Sequence, residues 1–279
     1  MKTSLSVWSC HKYLFDKSWT NADFIDFAAS TGAQGVELLS VFWNEETDIP
    51  AVRDALARTG IQLACFGACN NLVQTDAAAR EAQVQDILRS VDMAVEFGAR
   101  VVRVFAGDKR DGISYEQAKG WIVDGLKQGA DYAESKGVTL CLENHGIFAG
   151  RGDQVVELIE AVGSSALRST FDMGNFLLVD EQPVEALNQV TAYIHHVHAK
   201  DFRKVGPEET EGVYRSIAGD PYVGTVPTEG DVPAAVLVGK LAETGYDGWL
   251  SVEYEGLEEQ RSGSERAVRI INQLVHSQG

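Results

Sequence analysis

The chain is expected to fold as a single (β/α)8 barrel spanning residues 1–279, and three features of the sequence carry that expectation. Short apolar runs alternate with longer amphipathic ones, the alternation occurs eight times, and a glycine often stands just before the next apolar run. Strands alternating with helices through short connections make a parallel sheet, and eight such units close most simply on themselves. About 250 residues is an ordinary length for such a barrel. No Gly-x-Gly-x-x-Gly follows the first apolar run, so an open dinucleotide-binding sheet loses its main support.

In chain order, the strands are expected at Leu5–Trp8, Gly35–Leu39, Gln62–Phe66, Arg100–Phe105, Thr139–Leu142, Ser169–Phe171, Ile194–His198 and Trp249–Val252. The helices between and after them fall at Asn21–Ser30, Ile49–Arg58, Ala77–Glu96, Tyr115–Ser135, Asp153–Ala161, Val184–Gln189, Val232–Glu243 and Ser264–Val275. Gly32, Gly60, Gly98, Gly137 and Gly245 each stand where a helix gives way to a strand, a place that favours left-handed backbone. The stretch Asp201–Asp231, rich in glycine, proline and charge, reads as a long irregular loop of the kind that serves as a functional segment or lid. No linker divides the chain.

Composition narrows the partners. With 41 acidic against 24 basic residues the formal charge is −17, which repels phosphate backbones and anionic membranes, so neither nucleic acid nor a membrane is expected as partner. Met1-Lys2-Thr3-Ser4-Leu5 lacks the pattern of a signal peptide, and no apolar run has the length of a bilayer span. Cys10, Cys65, Cys69 and Cys141 form no zinc-ligand spacing and read as reduced thiols of a cytoplasmic protein. A soluble enzyme or small-molecule binding protein fits, and a homo-oligomer is compatible with the sequence.

Active sites of such barrels form at the C-terminal ends of the strands, so polar residues that close an apolar run are the informative ones. Four consecutive strands end in Leu142-Glu143-Asn144-His145, Phe171-Asp172-Met173-Gly174-Asn175, His196-Val197-His198-Ala199-Lys200-Asp201 and Val252-Glu253-Tyr254-Glu255. A lone carboxylate at a strand end is as often a cap or an ion-pair partner as a ligand. Glu143, Asp172, His198 and Glu253 at successive ends are another matter: three crowded carboxylates call for a divalent cation. The oxygen-rich set suits Mn²⁺ or Mg²⁺, with Co²⁺, Zn²⁺ and Fe²⁺ also compatible.

Strand alternation places Cys141, Glu143 and His145 on one side, and His196, His198 and Lys200 likewise. His196 then lies a layer deeper, packed or supporting a ligand. Arg103 and Glu37 face inward, either as a buried ion pair or as groups that orient ligands and substrate. Asn175, Lys200 and Arg203 are candidates for holding substrate or ligand oxygens. Trp8, Trp43 and Phe66 end or follow the first three strands, and would either wall a sugar pocket or be ordinary core. His11 and His276 fall outside this set.

At these four strand ends, and in the closing Gly245-Tyr246-Asp247-Gly248-Trp249-Leu250-Ser251-Val252-Glu253-Tyr254-Glu255, the sequence resembles the sugar phosphate isomerase/epimerase group of the xylose-isomerase-like TIM barrels. The resemblance covers essentially the whole chain and implies a carbohydrate substrate. It also implies a metal held by Glu143, Asp172, His198 and Glu253, with the two glutamates exchanging protons with substrate carbon. Ketose 3-epimerases tend to carry histidine three residues after the metal aspartate, where this chain has Asn175, a departure from those enzymes. His145 is similar to a histidine that serves as base in relatives that eliminate from keto-sugars or keto-glycosides. The leading expectation is an isomerase or epimerase acting by α-proton abstraction through a metal-bound enediolate. The alternative is a lyase working by β-elimination or dehydration at the same site, with His145 as base or acid. Endonuclease IV shares this barrel, but it uses a larger histidine-rich cluster for three zinc ions, whereas this chain has few histidines, and the −17 charge opposes DNA.

Overall fold

The computed structural model describes residues 1–278 and shows a closed barrel of eight parallel strands. In chain order the strands are β1 (Lys2–Ser6), β2 (Gly35–Leu39), β3 (Gln62–Gly67), β4 (Val101–Val104), β5 (Thr139–Glu143), β6 (Leu167–Asp172), β7 (Ile194–Ala199), β8 (Asp201–Lys204), β9 (Val213–Arg215), β10 (Pro221–Thr225) and β11 (Trp249–Val252). The barrel uses β1 to β7 and β11, each beside its neighbour in sequence, with β11 closing onto β1 through Lys2↔Trp249 to Leu5↔Val252. The helices are α1 (His11–Phe15), α2 (Asn21–Ser30), α3 (Glu45–Thr59), α4 (Ala77–Glu96), α5 (Tyr115–Lys136), α6 (Gly152–Val162), α7 (Asn175–Leu178), α8 (Pro183–Val190), α9 (Ala234–Glu243) and α10 (Gln260–His276). No helix among the described residues is long and apolar enough to cross a membrane.

Local chemistry explains the boundaries. Thr20 and Asp23 form a capping box that starts α2 where expected, and Ser114 with Gln117 does the same for α5. α3 begins at Glu45, four residues before the expected start, because Asn44 caps it and the ring of Pro50 is tolerated inside the helix. Gly60 and Gly137 close α3 and α5 at φ of 73° and 68°, the left-handed geometry their positions called for.

Two expectations are corrected. The first strand lies at Lys2–Ser6 rather than Leu5–Trp8, because the Ser6 hydroxyl accepts from the Trp8 amide and turns Val7–Cys10 into a short 3-10 helix. The supposed irregular loop Asp201–Asp231 contains an antiparallel sheet in the order β8-β10-β9, a flap laid over one side of the mouth. Its strands are three to five residues long, and β8 and β9 carry charge, which hides their periodicity. Gly224 allows β10 to reach the chain after β11, since a Cβ there would meet the Glu255 carbonyl oxygen at 2.3 Å.

Most of the core packs between the barrel and its helices. Inside the barrel, Cys65, Val101 and Cys141 form a small separate apolar plug, above which the lining turns polar toward the mouth. All four cysteines are free thiols. Behind the flap, the buried Asp201 carboxylate accepts the backbone amides of Thr228, Gly230 and Val232, each at 3.0 Å, and so fixes the return of the chain toward α9. Asp201→Ala leaves three amides without their acceptor. It should lower the unfolding free energy in urea by about 2–3 kcal/mol and open residues 226–232 to limited proteolysis; an unchanged midpoint and digest would show that the contact holds nothing in place.

Candidate metal centre and active site

Parallel strands in register bring four distant side chains to one point. Glu143 and Asp172 are the last residues of β5 and β6, His198 lies on β7 opposite Asp172, and Glu253 follows β11 directly. One ligand atom from each lies within 4.8 Å of the other three. Measured from His198 Nδ1, Glu143 Oε2 is at 3.5 Å, Asp172 Oδ2 at 3.7 Å and Glu253 Oε2 at 3.8 Å. All four residues are buried, and Glu143 Oε2, Asp172 Oδ2 and His198 Nδ1 have no hydrogen-bond partner. A buried polar atom left unpaired costs about 1–3 kcal/mol, and one cation at their common point would satisfy these atoms together.

Charge makes the same demand. Within the mouth, Glu37, Glu143, Asp172 and Glu253 are buried, facing the buried cations Arg103 and Lys200. With both histidines neutral, a divalent ion balances those six groups and leaves over only Glu255, beside Lys200 in the cavity wall, so the residues present fit a divalent metal.

Beneath the ligands, Glu37 joins two imidazoles. His198 Nε2 lies 3.2 and 3.1 Å from its two oxygens, and His196 Nε2 lies 2.9 Å from Oε2. A carboxylate in that place holds the Nε2 proton of His198 and leaves Nδ1 free to face the carboxylates above. A register shift between Val36 and Glu37 sets the side chain there. Burial works against the charged form of Glu37, but His198 and His196 outweigh it and hold the carboxyl well below its usual range. His196 is pushed down, chiefly by burial. For His198 burial is outweighed by Glu37, Glu143 and Glu253, which push it well above the ordinary imidazole range in the metal-free protein.

The two glutamate ligands sit in unlike surroundings. Glu143 is flanked on both sides: Asn175 Nδ2 donates to Oε1 at 3.2 Å, while Arg103 Nε, 3.1 Å from Oε2, forms an ion pair without being aligned to donate a hydrogen bond. Burial is outweighed there by His198, Arg103 and Lys200, and the carboxyl is held far below its usual value. Glu253 is pushed up to about 7, first by burial, with Lys200 and His198 limiting the rise. Its Oε2 lies 2.5 Å from Lys200 Nζ, and its Oε1 accepts weakly from Ser6 at 3.5 Å.

A cavity of about 410 Å³ opens over the centre, lined by Glu143, Glu253, Lys200 and Arg103 below and by His145, Trp8 and other residues toward solvent. His145 is exposed at its wall, its ring 4.6 Å from that of Phe105. Trp8 lines the cavity and donates its indole N–H to Glu255 at 3.1 Å. Lys200 also reaches Asp172 at 3.2 Å and Glu255 at 3.1 Å. Asn175 sits against Glu143 and the Asn144 carbonyl, and its Oδ1 accepts from Lys200 at 3.4 Å; it orients a ligand rather than facing the cavity.

Other expected residues are not brought there. Trp43 and Phe66 meet edge to face at 5.2 Å beside a separate open groove between α3 and α4, and Phe66 is core. Arg203 is exposed on β8, away from the residues that line the cavity, because the first two residues of that strand are buried and its last two run out into solvent. Of the two readings of Arg103 and Glu37, the mutual ion pair is stretched to 4.0 Å, since Arg103 turns to Glu143 and Glu37 to the histidines. Three contributors escaped the sequence reading. Asn144 both donates to the Asp172 carbonyl at 3.0 Å and accepts its amide at 2.8 Å, locking β5 to β6, and its place inside the Glu-Asn-His run was the available signal. Glu255, two residues after a ligand, points the same way by strand alternation. Tyr214 arrives on the flap, and nothing in its own neighbourhood signals that.

A closed parallel barrel with three carboxylates and one imidazole converging at its C-terminal mouth defines a metal-binding (β/α)8 barrel. More narrowly, the chain belongs to the xylose isomerase-like TIM barrel family, whose profile matches residues 25–274. It is 26% identical over 264 residues to the inosose dehydratase of Clostridium beijerinckii, covering 85% of this chain and 87% of that protein. Among solved structures, a D-tagatose 3-epimerase-like protein superposes with a TM-score of 0.79 at 19% identity over 99% of both chains. The IOLI protein, solved with a zinc atom, gives 0.79 at 17% identity over 100% of this chain and 99% of its own.

Two outcomes test the centre. Because Glu253 and His198 must give up protons to act as ligands, divalent-metal affinity measured by calorimetry should fall as pH drops, first through the raised His198 and then through Glu253 near 7, by roughly tenfold per unit for each proton displaced. A pH-independent affinity would exclude these ligands. Glu37→Gln should weaken metal binding by about 10–100-fold without touching a ligand, whereas an unaltered affinity would reduce Glu37 to packing.

Proposed function

We propose that this protein is a divalent-metal-dependent carbon–oxygen lyase that removes the proton beside the carbonyl of a keto-sugar, keto-glycoside or keto-cyclitol and expels a β-oxygen substituent. The supporting observation is the unequal setting of Glu143 and Glu253. A divalent ion at the four ligands, proposed to be Mn²⁺ from the three-carboxylate, one-imidazole set, would polarise the carbonyl and acidify the adjacent C–H.

Glu253, lining the cavity with Lys200 on Oε2 and only a weak contact from Ser6 on Oε1, keeps an oxygen to accept that proton. Glu143, clamped by Arg103 and Asn175, stays an anion and orients. His145 stands at the cavity wall with its ring against Phe105, placed to protonate a departing oxygen. In balance, the C–H proton passes to Glu253, its electron pair forms the C=C bond, the β C–O bond breaks, and the leaving oxygen takes a proton from His145. Lys200, beside Glu253 and Asp172, offsets negative charge throughout. The dehydratase from Clostridium beijerinckii supports elimination as the outcome. Free thiols and the absence of a spanning helix among the described residues agree with a cytoplasmic setting.

Isomerisation or epimerisation is the second reading, with the same first step followed by reprotonation. It draws support from Glu143 and Glu253 standing on strands to either side of those carrying Asp172 and His198, so that a substrate between them would meet a carboxylate on each face. Turnover of inosose, keto-sugars and keto-glycosides in D₂O with Mn²⁺ separates the two. An unsaturated product lacking one oxygen substituent is expected, with Glu253→Gln and His145→Ala each slowing it by about 10²–10⁴-fold. A deuterated product that keeps every oxygen would move the assignment to the isomerase reading, and product carrying neither change would overturn both.

A further inference from the structure

The wall of the cavity above the metal ligands is built for something other than hydroxyl groups. Trp8, Phe15, Leu39, Val41, Phe105 and Tyr214 line it, continuous with the side that carries Glu143 and Glu253. Phe15 is 57% exposed and Val41 49% exposed, an arrangement that costs solubility unless something covers it. The pattern extends around the rim. Of the eight large apolar side chains exposed on this protein's described surface, six follow the C-terminal ends of barrel strands or lie in the flap. Phe15 and Val41 come after β1 and β2, Ile147 after β5, Tyr214 and Ile217 within the flap, and Leu257 after β11.

Polar groups on that side are nearly all committed. Lys200 is held by Asp172, Glu253 and Glu255. Arg103 binds Glu143 and the Ala68 carbonyl and lies over the Phe105 ring at 3.9 Å. Glu255 is taken by the Trp8 indole and Lys200. Among the described residues of the outer wall, His145 remains with its ring nitrogens unengaged. An unsubstituted hexose or cyclitol can give about two oxygens to a six-coordinate ion that has four protein ligands, and would press its other hydroxyls against rings and methyls that cannot pair with them. A cavity of about 410 Å³ also falls within the range that encloses ligands larger than a single sugar ring.

We propose that the physiological substrate carries an apolar substituent, aromatic or alkyl, on its sugar ring, with the ring over the metal ligands and the substituent against Trp8, Phe15, Val41 and Tyr214. This assignment rests on the reading of the site as one that acts on a carbonyl sugar, and it selects glycosides over free sugars and cyclitols. Phe15 is propped edge-on against Phe42 at 4.9 Å and Trp8 at 6.2 Å, so the wall is preformed. Aromatic rings so fixed receive another ring at little conformational cost.

The test compares phenyl β-D-glucopyranoside with methyl β-D-glucopyranoside as calorimetric ligands of the Mn²⁺-loaded protein. Phenyl should bind at least tenfold more tightly than methyl. In Phe15→Ser/Val41→Ser, whose changes lie at exposed positions and leave the core alone, the two glycosides should bind alike. Equal affinities in the unaltered protein overturn the proposal, as does a phenyl preference that survives the double substitution. If affinities are equal and Phe15→Glu also splits a dimer seen by light scattering, the rim is a contact between two copies of the chain. Deuterium incorporation from D₂O is read separately, so loss of the phenyl preference with labelling intact rejects only the substituent, and loss of labelling rejects the reaction.

Discussion

Placing four carboxylates in one barrel mouth out of water is the constraint on which the rest of the site depends. Each buried anion needs a counter-charge or a set of donors, since an unpaired one is destabilising by several kcal/mol. Arg103 and Lys200 supply two positive charges, and the orphaned atoms of Glu143, Asp172 and His198 mark where the other two belong. The histidines cannot make up the difference and still act as ligands, because a protonated imidazole has no lone pair to give. Glu37 therefore does more than add charge. By taking the Nε2 proton of His198 it fixes which nitrogen is bare, and His196 packs at the same carboxylate from below.

The barrel makes this arrangement affordable in geometry. Adjacent parallel strands end at similar heights, so residues far apart in sequence reach one point without long flexible side chains having to be ordered. Closure also leaves no sheet edge, and the apolar plug of Cys65, Val101 and Cys141 seals the interior beneath the polar layer. Polar groups are stacked in a column above a dry floor, and its upper end opens into the cavity.

How much of this was legible in the sequence follows from the range of each interaction. Helices such as Asn21–Ser30 and Ala77–Glu96 are where periodicity and capping residues placed them, because those signals act within a few residues. The convergence of Glu143, Asp172, His198 and Glu253 could be read because a barrel turns a one-dimensional rule, polar residue at the end of an apolar run, into a three-dimensional position. Partnership inside the barrel was less legible. Glu37 and Arg103 both face inward as alternation requires, yet whether they pair with one another depends on a register shift at Glu37 and on competition with His196, His198 and Glu143. The flap was misread for a related reason: β9 is stabilised by β10 and by nothing in its own three residues. Trp43 and Phe66 followed the strand-end rule and still joined the core, since aromatic side chains after a strand can turn outward onto helices as readily as over the mouth.

Asn175 shows how the chemistry of such a centre can be set by a residue that is not a ligand. Its amide donates to Glu143 Oε1, while Arg103 occupies the other side of the same carboxylate, so Glu143 is made a strong ligand and a weak base. Glu253 instead has Lys200 at 2.5 Å on Oε2 and only the more distant Ser6 hydroxyl, at 3.5 Å, on Oε1, and it lines the cavity. Two glutamates that look interchangeable at the strand ends are thus differentiated by their neighbours, and the proposed reading has one hold and the other accept. The His145 imidazole lines the same cavity beside the Phe105 ring, so the proposed reading has a third group besides the two glutamates, and its roles are unequal. An asymmetric pair suits a reaction whose proton leaves carbon on one side and reaches oxygen on the other, and that requirement separates elimination from the exchange of a proton between two faces of one carbon.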